Sequence, residues 1–483
     1  MHSPSFHPWI PIALLSVLAG CSGVAGKPST VTAQVPPRLS VESAEPLAAR
    51  WWQLYRDPQL DALVARALHQ NKDLEAAAAH VDALLARLEQ ADGERLPSTS
   101  LDYGLAYGRS RDDQTLAQAT HGHAGAEWSH TPEFSLSYTL DLWGEVRYRI
   151  AAARADAQVA RALEDELRVT VAAQTARAYA QACVYGLQAQ VQAHSVQVLE
   201  QSVAVTQKLQ KAGAATDLDL TRLQGLLEET RAPLPMFTAR RSSALFELAV
   251  LSGLPPEQVT PHRCAQSPQL QAPLPVGEGW ALVQRRPDIR RAEGQLRAAT
   301  LTVGLSRAEL YPRITFGAML GSSASSLGKL GDHYATVYSV GPLVSWRFPN
   351  RQIAQARVKQ SQAEARQALA RFDGTVLNAL KQVEQAMALY QGEQQRRQAL
   401  TAALDNNRRA FDLASRGYHA GALDALQLLD SERSLVGLEA RVAESDLRLI
   451  NRQIDLFQAL GGGWQRDDQT APLSVAVVNG ATP

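Results

Sequence analysis

Phe134-Ser135-Leu136-Ser137-Tyr138-Thr139-Leu140-Asp141-Leu142-Trp143-Gly144 is the stretch on which the fold turns. Up to Leu140 a large apolar residue stands at every second position, with Ser or Thr between, which predicts a strand with one greasy and one wet face. Three more runs read alike. Leu101, Tyr103, Leu105 and Tyr107 alternate with small or polar residues, as do Ile314, Phe316, Ala318 and Leu320. The last run is Tyr338, Val340, Pro342, Val344 and Trp346. Alternation alone suits a soluble sandwich as well as a membrane barrel. Length favours the barrel, because each run with its flanks approaches the ~9–11 residues that cross a bilayer. Aromatic residues also gather at strand ends (Tyr107, Trp128, Phe134, Trp143, Tyr311, Tyr334, Trp346), as in interfacial girdles. A long polar loop flanks each hairpin, at 109–133 and 322–335, as extracellular loops do.

The lipid-facing residues predicted by this pattern are Leu101, Tyr103, Leu105, Phe134, Leu136, Tyr138, Ile314, Phe316, Tyr338 and Val340. Four strands cannot close a barrel, since the smallest membrane barrels have about eight. An open edge is not tolerated in hydrocarbon, so other subunits must complete it. Two chains would give a filled barrel and three a water-filled lumen.

From Gly144 onward the period changes. Long helices are predicted at 144–211, 216–251, 350–417 and 423–460, with apolar residues at spacings of three and four (Val196, Leu199, Val203; Leu377, Leu380, Val383). At 1.5 Å per residue the longer two each reach roughly 100 Å. A soluble coiled coil would explain these helices but not the strands between them. Pro233 and Pro235 are expected to kink the second helix.

The order of elements occurs twice. One offset relates Asp73 to Asp288 and Pro97 to Pro312, and a nearly equal one relates Ala212-Gly213 and Gly253 to Ala420-Gly421 and Gly461. The chain therefore divides into a first repeat at 61–253, a Pro-rich connector at 254–279 and a second repeat at 280–463. Each repeat opens with a helix, at 61–94 and 280–310. The tail at 464–483 is expected to be disordered.

The N-terminus reads as a targeting segment. An apolar stretch at 10–18, interrupted by Pro11, is too brief to span a bilayer and ends in Leu18-Ala19-Gly20-Cys21, which matches a lipoprotein lipobox. Residues 1–20 are thus a signal peptide, although no Lys or Arg precedes the apolar stretch. Cys21 would carry S-diacylglycerol and N-palmitoyl groups, Ser22 suggests the outer membrane, and 21–60 would be an extended, lipid-anchored segment. Cys183, mid-helix, and Cys264, in the connector, read as separate thiols, although an oxidising compartment permits a bridge.

Charge is balanced, with Lys+Arg 48 against Asp+Glu 48, so no basic surface points to nucleic acid. No nucleophile elbow, phosphate-cradling Gly loop or His-Glu-x-x-His stands in the sequence, so no enzyme is expected. His121 and His123 read as a solvated loop pair rather than a metal site, and no cofactor is expected.

Trp51-Trp52, Asp57-Pro58-Gln59-Leu60, Leu140-Asp141-Leu142-Trp143-Gly144, Arg286-Pro287-Asp288-Ile289, the run at 421–433 and Leu460-Gly461-Gly462-Gly463-Trp464 together resemble the TolC/OprM outer-membrane factor family, in particular its NodT-type lipoproteins. Asn350-Arg351 departs where many relatives have a Gly-rich turn. The resemblance implies an α+β membrane protein, a homotrimer whose shared β-barrel takes four strands per chain and continues into a long α-helical periplasmic tunnel. It also implies outer-membrane location and export of drugs or other small toxic molecules. A periplasmic adaptor and an inner-membrane pump of the resistance–nodulation–division type would be the partners. Carried over by position, the periplasmic gate falls on Tyr418, Leu426, Asp430 and Arg433. By spacing alone Asp430 and Arg433 read as an i, i+3 pair on a solvated face. The competing functions are a duct for type I protein or peptide secretion and a non-conducting periplasmic coiled-coil lipoprotein.

Overall fold

A computed structural model describes residues 50–123, 125–258, 264, 268–270, 285–346, 351–423 and 425–463. Cys21, the signal peptide, Asn350, Trp464 with its tail and most of the connector lie outside them. In chain order a 3-10 turn at Trp51–Tyr55 precedes α1 (Pro58–Gln70), α2 (Lys72–Gly93), β1 (Ser98–Gly108), α3 (Arg111–Ala119) and β2 (Glu127–Leu140). Then come α4 (Glu145–Lys211), α5 (Asp217–Arg231), α6 (Leu234–Leu251) and α7 (Pro287–Ala308). The last elements are β3 (Arg313–Ser322), β4 (Thr336–Ser345), α8 (Arg351–His419) and α9 (Ala425–Ala459). No helix among the described residues is long and apolar enough to cross a membrane.

The chain forms two compact units, of which one contains Val81–Val159 and Ala292–Phe372. Its centre is an antiparallel sheet in the order β1-β2-β3-β4. The register sets Leu101 opposite Phe134, Phe134 opposite Leu320, and Leu320 opposite Tyr338. Directly opposed residues share a face. The alternating apolar positions of all four strands therefore fall on one surface. Ser100, Asp102, Ser135, Ser137, Thr139, Thr315 and Ser339 fall on the other. Among the described residues β1 pairs only with β2 and β4 only with β3, leaving both outer edges open.

Where β2 gives way to α4, Asp141 accepts hydrogen bonds from the backbone N–H of Val146 (3.0 Å) and Arg147 (3.1 Å). A carboxylate there satisfies otherwise orphaned donors at a helix start. Trp143 stacks on Tyr311 with centroids 4.6 Å apart and donates to the Pro312 carbonyl at 2.8 Å. Arg313 pairs with Glu145, which also accepts from Arg149 at 2.8 Å. On α7, Gly304 lies against the Tyr148 ring and Gly294 against Val159, so both helices approach where a Cβ would collide. The polar loop expected at 109–133 is shorter than predicted. Ser110 and Asp113 form a capping box that starts α3, and β2 begins at Glu127.

The second unit comprises the described residues within 50–80, 160–291 and 373–463. Its core draws on distant parts of the chain: Trp51, Val64, Tyr179, Leu248, Met387, Ile454 and Phe457. Trp51 stacks on Phe457 at 4.7 Å. The Tyr179 hydroxyl donates to Asp57 at 2.6 Å, and burial pushes the phenol's pKa above its usual value. Two corrections to the sequence reading arise here. Cys183 and Cys264 are joined in a disulfide with Cα atoms 5.3 Å apart, because Cys264 sits against α4, a proximity that spacing along the chain does not reveal. The opening helix of the first half also breaks at Asn71, whose Oδ1 accepts from Asp73 N (3.1 Å) and Leu74 N (3.2 Å) and so starts α2 afresh. The kink expected at Pro233 and Pro235 falls between α5, which ends at Arg231, and α6, which starts at Leu234, with Ala232 and Pro233 keeping right-handed helical dihedrals.

Candidate functional site

Two regions carry the predicted functional residues. The first is the apolar face of the sheet. Leu101, Tyr103, Leu105, Phe134, Phe316, Tyr338 and Val340 are exposed, with Leu101 at 77% and Tyr338 at 78%, while Leu136, Tyr138 and Ile314 are half-covered. Exposed apolar surface on this scale marks a face that contacts lipid or another chain. Tyr107 leans on Trp128 at 5.3 Å, and Tyr103 shares a 2.7 Å hydrogen bond with His130 Nδ1, so the loop end of the sheet carries amphipathic rings. His121 and His123 follow α3, and His121 takes positive φ (52°). Among the described residues no group of three His, Cys, Asp or Glu is placed to hold a metal ion.

The second region is the tip, where each pair of long helices turns. Gly213 and Gly421 both take φ of 72°. Ala214 N donates to Leu209 O and Ala422 N to Gly417 O, each at 2.8 Å. A left-handed residue there closes a helix C-terminus without a Cβ penalty. Thr216 and Asp219 form the capping box that starts α5. Below the first turn Val196 and Leu199 of α4 pack with Leu223 and Leu227 of α5, and Leu429 of α9 lies against them.

The predicted gate residues sit around the second turn. Tyr418 is half-buried in the last turn of α8, and Asp430 is exposed on α9. Leu426 belongs to the first turn of α9 by its backbone, and its side chain lies outside the described residues. Arg433 differs from the i, i+3 expectation, since its guanidinium bonds Glu229 of α5 at 3.0 Å. Both side chains are well exposed, so the pair contributes at most about 1 kcal/mol. Its information is positional, because it ties α9 to α5. Sequence reading missed Glu229, and no local spacing could have matched it with a cation so far along the chain. Nearby Glu432 has its carboxyl pKa raised by burial.

The sequence profile of the outer membrane efflux protein family matches residues 63–254 and 281–462. The pyoverdine export outer membrane protein OpmQ of Pseudomonas putida is 31% identical over 429 residues, covering 87% of this chain and 89% of the relative. A probable outer membrane lipoprotein of Salmonella typhimurium, SilC, is 26% identical over 463 residues, covering 94% and 98%. The solved structure of the outer-membrane channel OprN superposes with a TM-score of 0.79 at 28% identity, covering 90% of this chain and all of that one.

Proposed function

This chain belongs to the outer membrane efflux protein family, and on that premise we propose a homotrimeric duct whose sheets close one barrel across the outer membrane. It is an outer-membrane efflux channel, and its relatives are transport proteins by name. The observation that carries the trimer is a sheet with one continuous apolar face and two unpaired edges. Pairing β1 of one chain with β4 of the next satisfies every edge and leaves the Ser- and Thr-bearing face to a water-filled lumen.

The long helices of three chains then form the periplasmic tunnel, with the two halves of each chain arising by duplication. Lipid on Cys21 anchors each chain. The tip receives a periplasmic adaptor, and an inner-membrane pump delivers small molecules through it. Tyr418, Leu426, Asp430 and Arg433 form the gate. Around a three-fold axis Leu426 gives an apolar ring and Asp430 an acidic one. The Arg433–Glu229 bond supports this reading, since it holds α9 against α5 beside the turn.

Purified protein in planar bilayers tests the proposal together with its mass in detergent. The expected result is a trimer of low conductance, and Asp430→Ala or Arg433→Ala raises single-channel conductance. Unchanged conductance in both variants removes the gate, and a water-soluble monomer removes the duct.

A further inference from the structure

Cys183 is 2% exposed, within the core built from Trp51, Tyr55, Tyr179, Leu245 and Phe457. Cys264 is half-buried and packs on the same cluster, as does Leu270. These are the connector's described apolar contacts with that core. The disulfide encloses the lower part of α4, the first tip turn, α5 and α6 in one covalent loop, with a sequence separation of 81. A thiol sealed in apolar surroundings is inert and beyond the reach of an external reagent. The bond must therefore form before or while the connector docks, in the oxidising compartment that an outer-membrane protein traverses.

We propose that Cys183 and Cys264 are the substrate pair of a periplasmic thiol–disulfide oxidant, and that the resulting bond clamps the connector to the base of the first helical hairpin. One cysteine thiolate attacks the oxidant's disulfide and forms a mixed disulfide. The second thiolate displaces the oxidant, which leaves as a dithiol carrying the two electrons and, with solvent, the two protons. The third cysteine, Cys21, is withdrawn from this chemistry as a thioether; this clause rests on the lipid anchor proposed above. Acylation then leaves a single possible intrachain pair, and mispairing is avoided without an isomerase.

The test uses full-length protein quenched in acid directly from cells, then denatured and treated with a mass-shifting maleimide before or after reduction. The expected pattern is no label before reduction and two labels after it. One label before and three after would sustain the clamp and overturn the lipid anchor. Two or more labels before reduction overturn the clamp. In cells lacking the periplasmic dithiol oxidant, two labels should appear without reduction, and a sample that stays unlabelled there removes the oxidant from the scheme. The Cys183→Ser/Cys264→Ser double variant should melt lower by about 5 °C or more. Reduced parent protein should match it, and a double variant that melts with the oxidised parent defeats the clamp.

Discussion

Two joints in the helical unit perform one task with different chemistry. In the first half the residue between the opening helices, Asn71, donates from Nδ2 to the carbonyl of Leu251 at the end of α6, at 3.1 Å. In the second half Arg286, just ahead of α7, donates to the carbonyl of Ala459 at the end of α9. Both helix ends are followed by a left-handed glycine, Gly253 at φ 71° and Gly461 at φ 70°. The first joint is neutral, and its amide also caps α2. The second is charged: Arg286 is held by Asp288 at 2.7 Å and by Gln382 at 2.7 Å. The difference teaches that a helix terminus needs a donor at a fixed place, whatever group supplies it. A guanidinium brings a carboxylate with it, so its removal strands a charge where removal of an amide strands only a carbonyl.

The largest effect is expected at the charged joint. Arg286→Ala leaves Asp288 without its bidentate partner and the Ala459 carbonyl without a donor, at a cost of about 3–5 kcal/mol; denaturant unfolding reads this directly. Asn71→Ala should cost less, about 2 kcal/mol, by losing a cap and one buried hydrogen bond. Equal losses in the two variants would mean that the charge at Arg286 adds nothing. The smallest effect is a difference between glycines. A Cβ at Gly253 would strike the backbone carbonyl of Gln70, whereas at Gly461 it would meet the movable Cγ of Arg286 at 3.0 Å. Both alanines carry the left-handed penalty, and Gly253→Ala should exceed Gly461→Ala by about 1 kcal/mol. Paired melting curves check the order, and its reversal would show that the first joint yields more easily than the second.

The strands were legible because a period of two leaves little ambiguity. Leu101, Phe134, Leu320 and Tyr338, chosen by alternation alone, meet in one row of the observed register. Helix bounds were legible because Pro and Gly punctuate them: α4 and α9 differ from expectation by a residue or two. What stayed hidden was contact between distant segments. Nothing in the sequence joins Cys183 to Cys264 or Arg433 to Glu229, since both pairings arise only when separate elements pack. Asn71 was overlooked for another reason: a capping side chain inside an unbroken helical pattern is outvoted by its neighbours. Ser110 with Asp113 did carry a readable box, and the polar composition around it obscured the short helix.

The seam between β2 and β3 has a consequence for synthesis. Its two strands end and begin at Leu140 and Arg313, with α4 to α7 emerging between them. The early hairpin must therefore wait, half of its inner rim bare, until the later one has been exported. Closing so large a loop costs little at equilibrium, because the entropy grows only logarithmically with length, but it takes time. A prematurely terminated chain never acquires the strand that would finish this seam, so the fold rejects incomplete copies by construction.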